Sequence, residues 1–398
     1  MNSTVGVPSS KRVRWTGDWL DLLGEVVLPG LCTGCGGCVI ACPHDVLDLD
    51  RPRWNPSLRA EGWFEGNAAQ CSHGQRGCTL CTRACPRFRL WESDADRQMF
   101  GRARTAEEVV GISQGVYLVE STDQQIASVG QDGGFASALL IYALEHDDID
   151  GALVGYCDDR WDTHAGVATT REEVLRAAGS RYTYTANTLA FDEAVDRGLT
   201  RLGLVGMGCQ VSVPAVAGAR GAPKLARKIA LTVGLLCSKT FTEDIFEGLL
   251  SARYGVARHE IVKVNIKGRL QVWLDREEGD DYLEIPLREA REWTRPGCER
   301  CPDFGAEHAD LSLGGIGAYA GRTLTVVRTD LGADLLMRMK RDGWIEVHDA
   351  REEDPAAVAL MQKLGVAQRK RWPVAVSPSS SPCPEPAALP IPSVAATA

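Results

Sequence analysis

Apolar positions through the middle of the chain fall into two alternating kinds of segment. GVYLVES (115–121), GALVGYC (151–157), RLGLVGM (201–207) and KIALTVGLLC (228–237) are short, nearly continuous apolar runs, the pattern of buried strands. Between them, GGFASALLIYALEH (133–146) follows a glycine turn and predicts an amphipathic helix, and REEVLRAA (171–178) a short one. TANTLAFDEAVDRG (185–198) has a Thr start and a Gly stop, and TEDIFEGLLSARYG (242–255) ends at glycine, both helix punctuation. EIVKVNI and RLQVWLD alternate apolar and polar residues around Lys267-Gly268, which predicts a β-hairpin over 260–275. TLTVVRT (323–329) is again strand-like. The alternation predicts a mixed α/β domain over residues 105–350.

Composition adds boundaries to this picture. A chain of 398 residues has room for two or three domains, and 44% apolar with 24% charged residues is ordinary for a globular protein. The net charge of −9 excludes a general nucleic-acid binder, since no broad basic face can be built. No apolar run approaches the roughly 18 residues that span a bilayer; the best is IALTVGLLC (229–237). MNSTVGVPSSKRVR has charge but no apolar stretch after it, so a cytoplasmic location is expected. In that compartment 14 cysteines read as metal ligands or redox groups rather than disulfides. Residues 1–20 are expected to be a disordered N-terminus, and the Pro/Ser/Ala-rich stretch 373–398 a disordered tail in which Cys383 has no assigned role.

The first eight cysteines carry the most specific signal. Cys32-x2-Cys35-x2-Cys38-x3-Cys42-Pro43 is the spacing with which ferredoxins wrap one iron–sulfur cube by three thiolates and reach a second with the fourth. Cys71-x6-Cys78-x2-Cys81-x3-Cys85-Pro86 repeats it with a longer first gap. The crossed pairing predicts one [4Fe-4S] cluster on Cys32, Cys35, Cys38 and Cys85, and another on Cys71, Cys78, Cys81 and Cys42. Zinc is the rival, but its sites space two C-x2-C pairs widely and need no third thiol in the run. Residues 21–100 are therefore expected to form a two-cluster ferredoxin-like module.

Later cysteines are sparser. Cys209 and Cys237 each end a strand-like run, where α/β proteins place their chemistry, and Cys298 with Cys301 forms a C-x2-C pair in TRPGCERCPDF. These four could meet at a third cluster; the alternative is that Cys209 and Cys237 are core residues. Cys157 reads as core. Two glycine stretches could cradle phosphates: QDGGF (131–135) at a helix start, and LGGIGAYAG (313–321). The second superficially matches a dinucleotide fingerprint, but a strand follows it where that fingerprint requires a helix.

Together, DGGFASALLIYALEHDDIDGALV (132–154), GCQ (208–210), CSKTF (237–241), IKG (266–268) and RPGCERCPDFGAEHADLSLGGIGA (295–318) resemble the family of coenzyme F420 hydrogenase and dehydrogenase beta subunits. The resemblance covers roughly residues 108–345. It implies a flavoprotein with FAD in the larger domain, coenzyme F420 as substrate stacked on the flavin, and a third [4Fe-4S] cluster nearby on Cys209, Cys237, Cys298 and Cys301. It further implies that the glycine turn Gly133, Gly134 and Phe135, with Ser180 and Arg181, lies near the flavin. Lys267, Gly314, Gly315 and Arg328 are further candidates there.

The expected function is thus an iron–sulfur flavoprotein oxidoreductase. Hydride passes between coenzyme F420 and FAD, and single electrons pass through the clusters to or from a redox protein partner, a ferredoxin or a larger complex. Two alternatives stand beside it: a ferredoxin-dependent reductase of a chlorophyll-type tetrapyrrole, and an electron-transfer protein without a substrate of its own, docked on a catalytic partner. Hydride transfer needs no acid–base side chain. His308 in GAEHAD is the histidine nearest the expected site and is a candidate for proton transfer.

Overall fold

The computed structural model describes residues 16–51, 53–276, 279–317 and 321–371. Residues 1–15 of the expected N-terminal disordered stretch, and the whole of the expected tail, lie outside the described residues. Residues 16–20 do not: a short helix, Trp19–Leu22, starts there, capped by the Asp18 side chain, and Trp19 is buried.

The N-terminal module is small and cysteine-centred. β1 (Leu47–Asp50) pairs antiparallel with β2 (Asn55–Leu58), and β3 (Trp63–Phe64) with β4 (Asn67–Cys71). Single helical turns, Gly37–Ile40 and Leu80–Arg83, carry Cys38 and Cys81. Trp19, Leu22, Val26, Val46, Leu47, Leu58 and Phe88 pack around the thiols, so the apolar core and the cysteine sites are one body.

The larger domain contains β5 (Gly115–Ser121), β6 (Gly151–Cys157), β7 (Thr163–Ala168), β8 (Leu202–Met207) and β9 (Ile229–Leu235). The expected hairpin follows as β10 (Ile261–Ile266) and β11 (Arg269–Leu274), extended to a three-stranded sheet by β12 (Tyr282–Pro286). Then come β13 (Leu311–Gly314), β14 (Thr323–Val327) and β15 (Ile345–Asp349). Eight of these strands form one mixed sheet in the order β15-β5-β14-β13-β9-β8-β6-β7. β13, β9, β8 and β6 run parallel; β5 shares their direction because β14 is antiparallel to both β5 and β13. Their C-terminal ends therefore open on one edge of the sheet.

Both faces of the sheet are covered. On one, the Phe135–Glu145 and Asp330–Arg341 helices pack against Ala152, Val154, Leu231, Val233 and Leu311. The first of these helices is apolar around most of its surface rather than amphipathic, since it is sandwiched between the sheet and its neighbours. On the other face lie the Gly208–Ala219 and Ala190–Asp196 helices, and Cys35 and Ala84 of the N-terminal module join the same cluster. The second helix starts later than its Thr185 suggested, because the Thr185 carbonyl is used by the Gln210 amide, 2.6 Å away. A final helix, Pro355–Arg369, seats Ala357 and Met361 against Val110, Val116 and Leu118. Among the described residues no helix is long and apolar enough to cross a membrane.

Candidate functional site

The two ferredoxin cysteine sets separate as the crossed pairing requires. Cys32, Cys35, Cys38 and Cys85 line one cavity, with Gly34 and Gly36; Cys42, Cys71, Cys78 and Cys81 line the other, with His44 and His73 at its rim. We call them the inner and outer sets. The inner loop is glycine-dependent: Gly34 sits at φ +70°, and a Cβ there would meet the Trp54 carbonyl oxygen at 2.7 Å. The Gly34 amide in turn points at Cys32 Sγ, 3.3 Å away.

The thiols fit clusters better than zinc. Zinc draws its thiolates to within about 3.8 Å of one another, given Zn–S bonds of about 2.3 Å. Among the described residues, no three cysteine sulfurs lie within 4.8 Å of each other. Burial, reinforced by neighbouring thiols, raises the pKa of Cys35 and Cys38 well above the ordinary range and that of Cys32 to about 11. Such buried sulfurs become thiolates only against a cationic centre that compensates their charge.

Cys209 begins the Gly208–Ala219 helix directly after β8, and Cys237 follows β9; Gly206 pairs with Gly234 and Met207 with Leu235, so the two cysteines leave adjacent parallel strands side by side. Cys298, in the Pro296–Glu299 turn, and Cys301 come up to them. The four thiols interact electrostatically, and burial pushes Cys209 up to about 11 and Cys301 up to about 12. Tyr184 Oη is 3.8 Å from Cys209 Sγ, and Thr240 Oγ1 is 3.4 Å from Cys298 Sγ.

This third set abuts the inner one, with backbone of the two segments in direct contact. A Cβ on Gly297 would sit 2.0 Å from the Cys32 carbonyl oxygen. Arg295 stacks on Tyr184 at 3.9 Å and donates to the Thr33 carbonyl at 2.7 Å, while Thr188 donates to the Cys35 carbonyl at 2.5 Å. Arg87 reaches the other way, from the module to the Arg300 carbonyl at 2.5 Å. Arg220 donates to the Thr82 and Cys85 carbonyls at 2.8 and 2.9 Å. None of these seam residues stands out in the sequence; Arg295 is two residues ahead of the Gly297-Cys298 pair, which is the only hint.

The glycine stretches meet at the same sheet edge. Asp132, Gly133 and Gly134 take φ of +46°, +85° and +72° in succession, turning the chain from the short Gln124–Val129 helix that follows β5 into the Phe135–Glu145 helix. A Cβ on Gly133 would strike the Gly321 carbonyl at 2.0 Å, and one on Gly315 would strike Asp132 Oδ2 at 1.8 Å. Gly314 ends β13 next to Gly315. Lys267, from the tip of the β10–β11 hairpin, is 2.9 Å from Asp132 Oδ1. The Gln131 Oε1 atom is buried without a hydrogen-bond partner among the described residues. Ser180 and Arg181 approach from the β6 side; Arg181 donates to the carbonyls of Ala177 at 2.6 Å and Gly179 at 3.0 Å, beside half-buried Cys157. Tyr182, which no sequence pattern singles out, lies between Asp132 and Cys237, and burial raises its hydroxyl to about 12.

Two candidates fall elsewhere. β14 is antiparallel to β13, so Arg328, just past its end, starts from the opposite edge to Gly314. Its guanidinium is buried and donates to Ser312 Oγ, the Ile112 carbonyl and the Gly305 carbonyl, at 2.7, 2.8 and 2.8 Å. These three bonds hold the Arg328 guanidinium in place. His308 is likewise buried, 2.9 Å from Asp96 Oδ1 and 3.2 Å from Arg104, inside an ionic cluster that also contains Glu92, Glu307 and Arg369.

Comparison with known proteins agrees with this layout. The family model "Coenzyme F420 hydrogenase/dehydrogenase, beta subunit N-term" matches residues 116–191, its C-terminus counterpart 199–353, and a "4Fe-4S dicluster domain" 31–88. The chain is 32% identical to the coenzyme F420 hydrogenase beta subunit of Methanothermobacter thermautotrophicus over 66% of this chain and 94% of the relative. It is 26% identical to one of the F(420)H(2) dehydrogenase subunits of Methanosarcina mazei over 87% and 92%. Coenzyme F420-dependent sulfite reductase of Methanocaldococcus jannaschii matches at 32%, over 79% of this chain and 46% of that protein. A chain of the solved F420-reducing [NiFe] hydrogenase complex from Methanosarcina barkeri superposes with a TM-score of 0.61 at 30% identity, covering 67% of this chain and 92% of that one. Cysteine spacing, sheet and relatives converge: the chain belongs to the family of coenzyme F420 hydrogenase/dehydrogenase beta subunits, with a 4Fe-4S dicluster domain ahead of the family's own two segments.

Proposed function

We propose that this chain is an iron–sulfur flavoprotein oxidoreductase that exchanges hydride with coenzyme F420 and single electrons with a redox protein partner, using FAD and three [4Fe-4S] clusters. The observation that carries the reading is continuity. The glycine turn, Tyr182, the third thiol set, the inner set and the outer set follow one another from the sheet edge to the rim of the N-terminal module.

The turn suits an anionic cofactor. Positive φ angles at Asp132, Gly133 and Gly134 bring the chain round to the N-terminus of the Phe135–Glu145 helix, whose first-turn amides favour an anion such as a diphosphate. Lys267 and Arg181 add positive charge on two sides, and Gln131 Oε1 offers an unused buried acceptor to a hydroxyl group. When bound, FAD supplies the conversion between a two-electron hydride and electrons handled singly. The protein's share is holding and insulating. Asp132 fixes Lys267, Tyr182 anchors the hairpin by accepting from the Ile266 amide at 3.1 Å, and the buried thiol sets keep water away.

A place within a larger redox assembly is compatible with this activity, and it is favoured by the likeness to a chain of the Methanosarcina barkeri hydrogenase complex. The test is addition of reduced coenzyme F420 to the anaerobically purified protein. Bleaching of the flavin band is expected; a flavin that bleaches with dithionite but not with reduced coenzyme F420 would overturn the proposal.

A further inference from the structure

The last helix reaches the third thiol set from outside the matched family segments, which end at residue 353. Its body is anchored by buried Ala357 and Met361, and by Gly365, where a Cβ would come within 2.5 Å of Val110 Cγ1. Its C-terminal end carries no cysteine, yet it grips three of the four ligand-bearing points. Gln368 is buried, and its amide nitrogen donates to the Cys237 carbonyl at 3.0 Å and the Asp303 carbonyl at 2.9 Å. Arg371 Nη1 donates to the Ser238 carbonyl at 2.7 Å and the Cys298 carbonyl at 3.1 Å. Arg369, between them, is tied to Glu92 of the N-terminal module at 2.8 Å and to Glu307. The same turn thus pins the loop after β9, the Cys298 turn and the Cys301–Asp303 segment.

We propose that Gln368 and Arg371 are positioning residues for the third cluster, a C-terminal latch that fixes the spacing of Cys237, Cys298 and Cys301. The inference rests on the reading that these cysteines, with Cys209, hold a cluster. Loops that carry metal ligands are otherwise free to spread, and outer contacts of this kind commonly change metal retention by roughly 10- to 100-fold. Gln368 uses both amide hydrogens on backbone carbonyls at a buried position, so a leucine there would leave two acceptors unpaired. Arg371 adds a cation beside Cys298, which favours the reduced, more negative cluster.

The experiment uses full-length protein reconstituted anaerobically. Iron release to a chelator and the electron paramagnetic resonance (EPR) signal of each cluster are followed in wild type, Gln368→Leu, Arg371→Ala, Arg371→Lys and the control Lys370→Ala. The expected result is a tenfold or greater acceleration in release of one third of the iron in Gln368→Leu, with the two ferredoxin-type signals unchanged. Arg371→Ala should shift the third signal and Arg371→Lys restore it. Equal lability of all clusters, or a third signal unmoved in both Gln368→Leu and Arg371→Ala, overturns the latch. Should Gln368→Leu fail to fold, the arginine pair decides alone. Wild type holding only eight irons overturns the third-cluster reading and the latch with it, which separates the two failures.

Discussion

Arg220 offers the sharpest test of how the module seam tunes electron transfer. It comes from the end of the Gly208–Ala219 helix and crosses the seam to the Thr82 and Cys85 carbonyls at 2.8 and 2.9 Å, with further contacts to the Phe88 and Arg89 carbonyls. Burial lowers its pKa to about 10, still far enough above neutrality to keep the guanidinium charged. That charge sits next to Cys85, a proposed cluster ligand of the inner set. Reduction makes a cluster more negative, so a nearby cation raises its potential. A unit charge roughly 7 Å from the cluster contributes about 1 to 2.5 kcal/mol at effective dielectric constants of about 40 to 20. For one electron this is about 50 to 100 mV. Arg220→Gln keeps donors for the carbonyls and removes the charge. An EPR-monitored redox titration should find the inner cluster lower by that amount and the outer one unmoved. An inner potential within about 20 mV of wild type, with iron content intact, would refute the electrostatic reasoning.

Other outcomes follow from the same geometry. Cys209→Ser should lower the iron content from about twelve to about eight atoms per chain while leaving both ferredoxin-type clusters, as measured by colorimetric iron assay and EPR. Lys267→Met frees Asp132 beside the glycine turn and should weaken flavin retention about tenfold, read by the flavin released on gel filtration. Glu307 is buried, which raises its carboxyl to about 7 despite Arg104 and Arg369. The folded state then holds a proton that the unfolded state has released, so stability falls as pH rises from about 4.5 to about 7. Denaturant titrations across that range should give wild type this slope and Glu307→Gln a flatter one; identical slopes would exclude it.

Local signals in the sequence proved the most legible. The inner and outer sets follow from spacing alone, because a cube captured by a short loop constrains neighbours three residues apart. Cys209 and Cys237 could be placed at strand ends because β8 and β9 are almost uninterrupted apolar runs. The Gly208–Ala219 helix was hidden by its β-branched residues and internal Pro214, which tertiary packing against the module overrides. β7, THAGVA, and β13, LSLG, are too short and too weakly patterned to stand out. The position of Arg328 was illegible for a different reason: whether β14 runs with or against β13 is a property of the assembled sheet, and it decides which edge the arginine starts from. Tyr182, Arg220, Arg295, Gln368 and Arg371 act through backbone amides, backbone carbonyls or ring stacking across long sequence separations, contacts that leave no spacing to read.

The account stands or falls on the third thiol set, which joins the proposed flavin pocket to the N-terminal module. Its most direct measurement is the iron, acid-labile sulfide and zinc content of protein prepared without oxygen. Three four-iron cubes predict about twelve irons and twelve sulfides per chain with negligible zinc. Eight of each, or zinc bound in place of the last four irons, would contradict it.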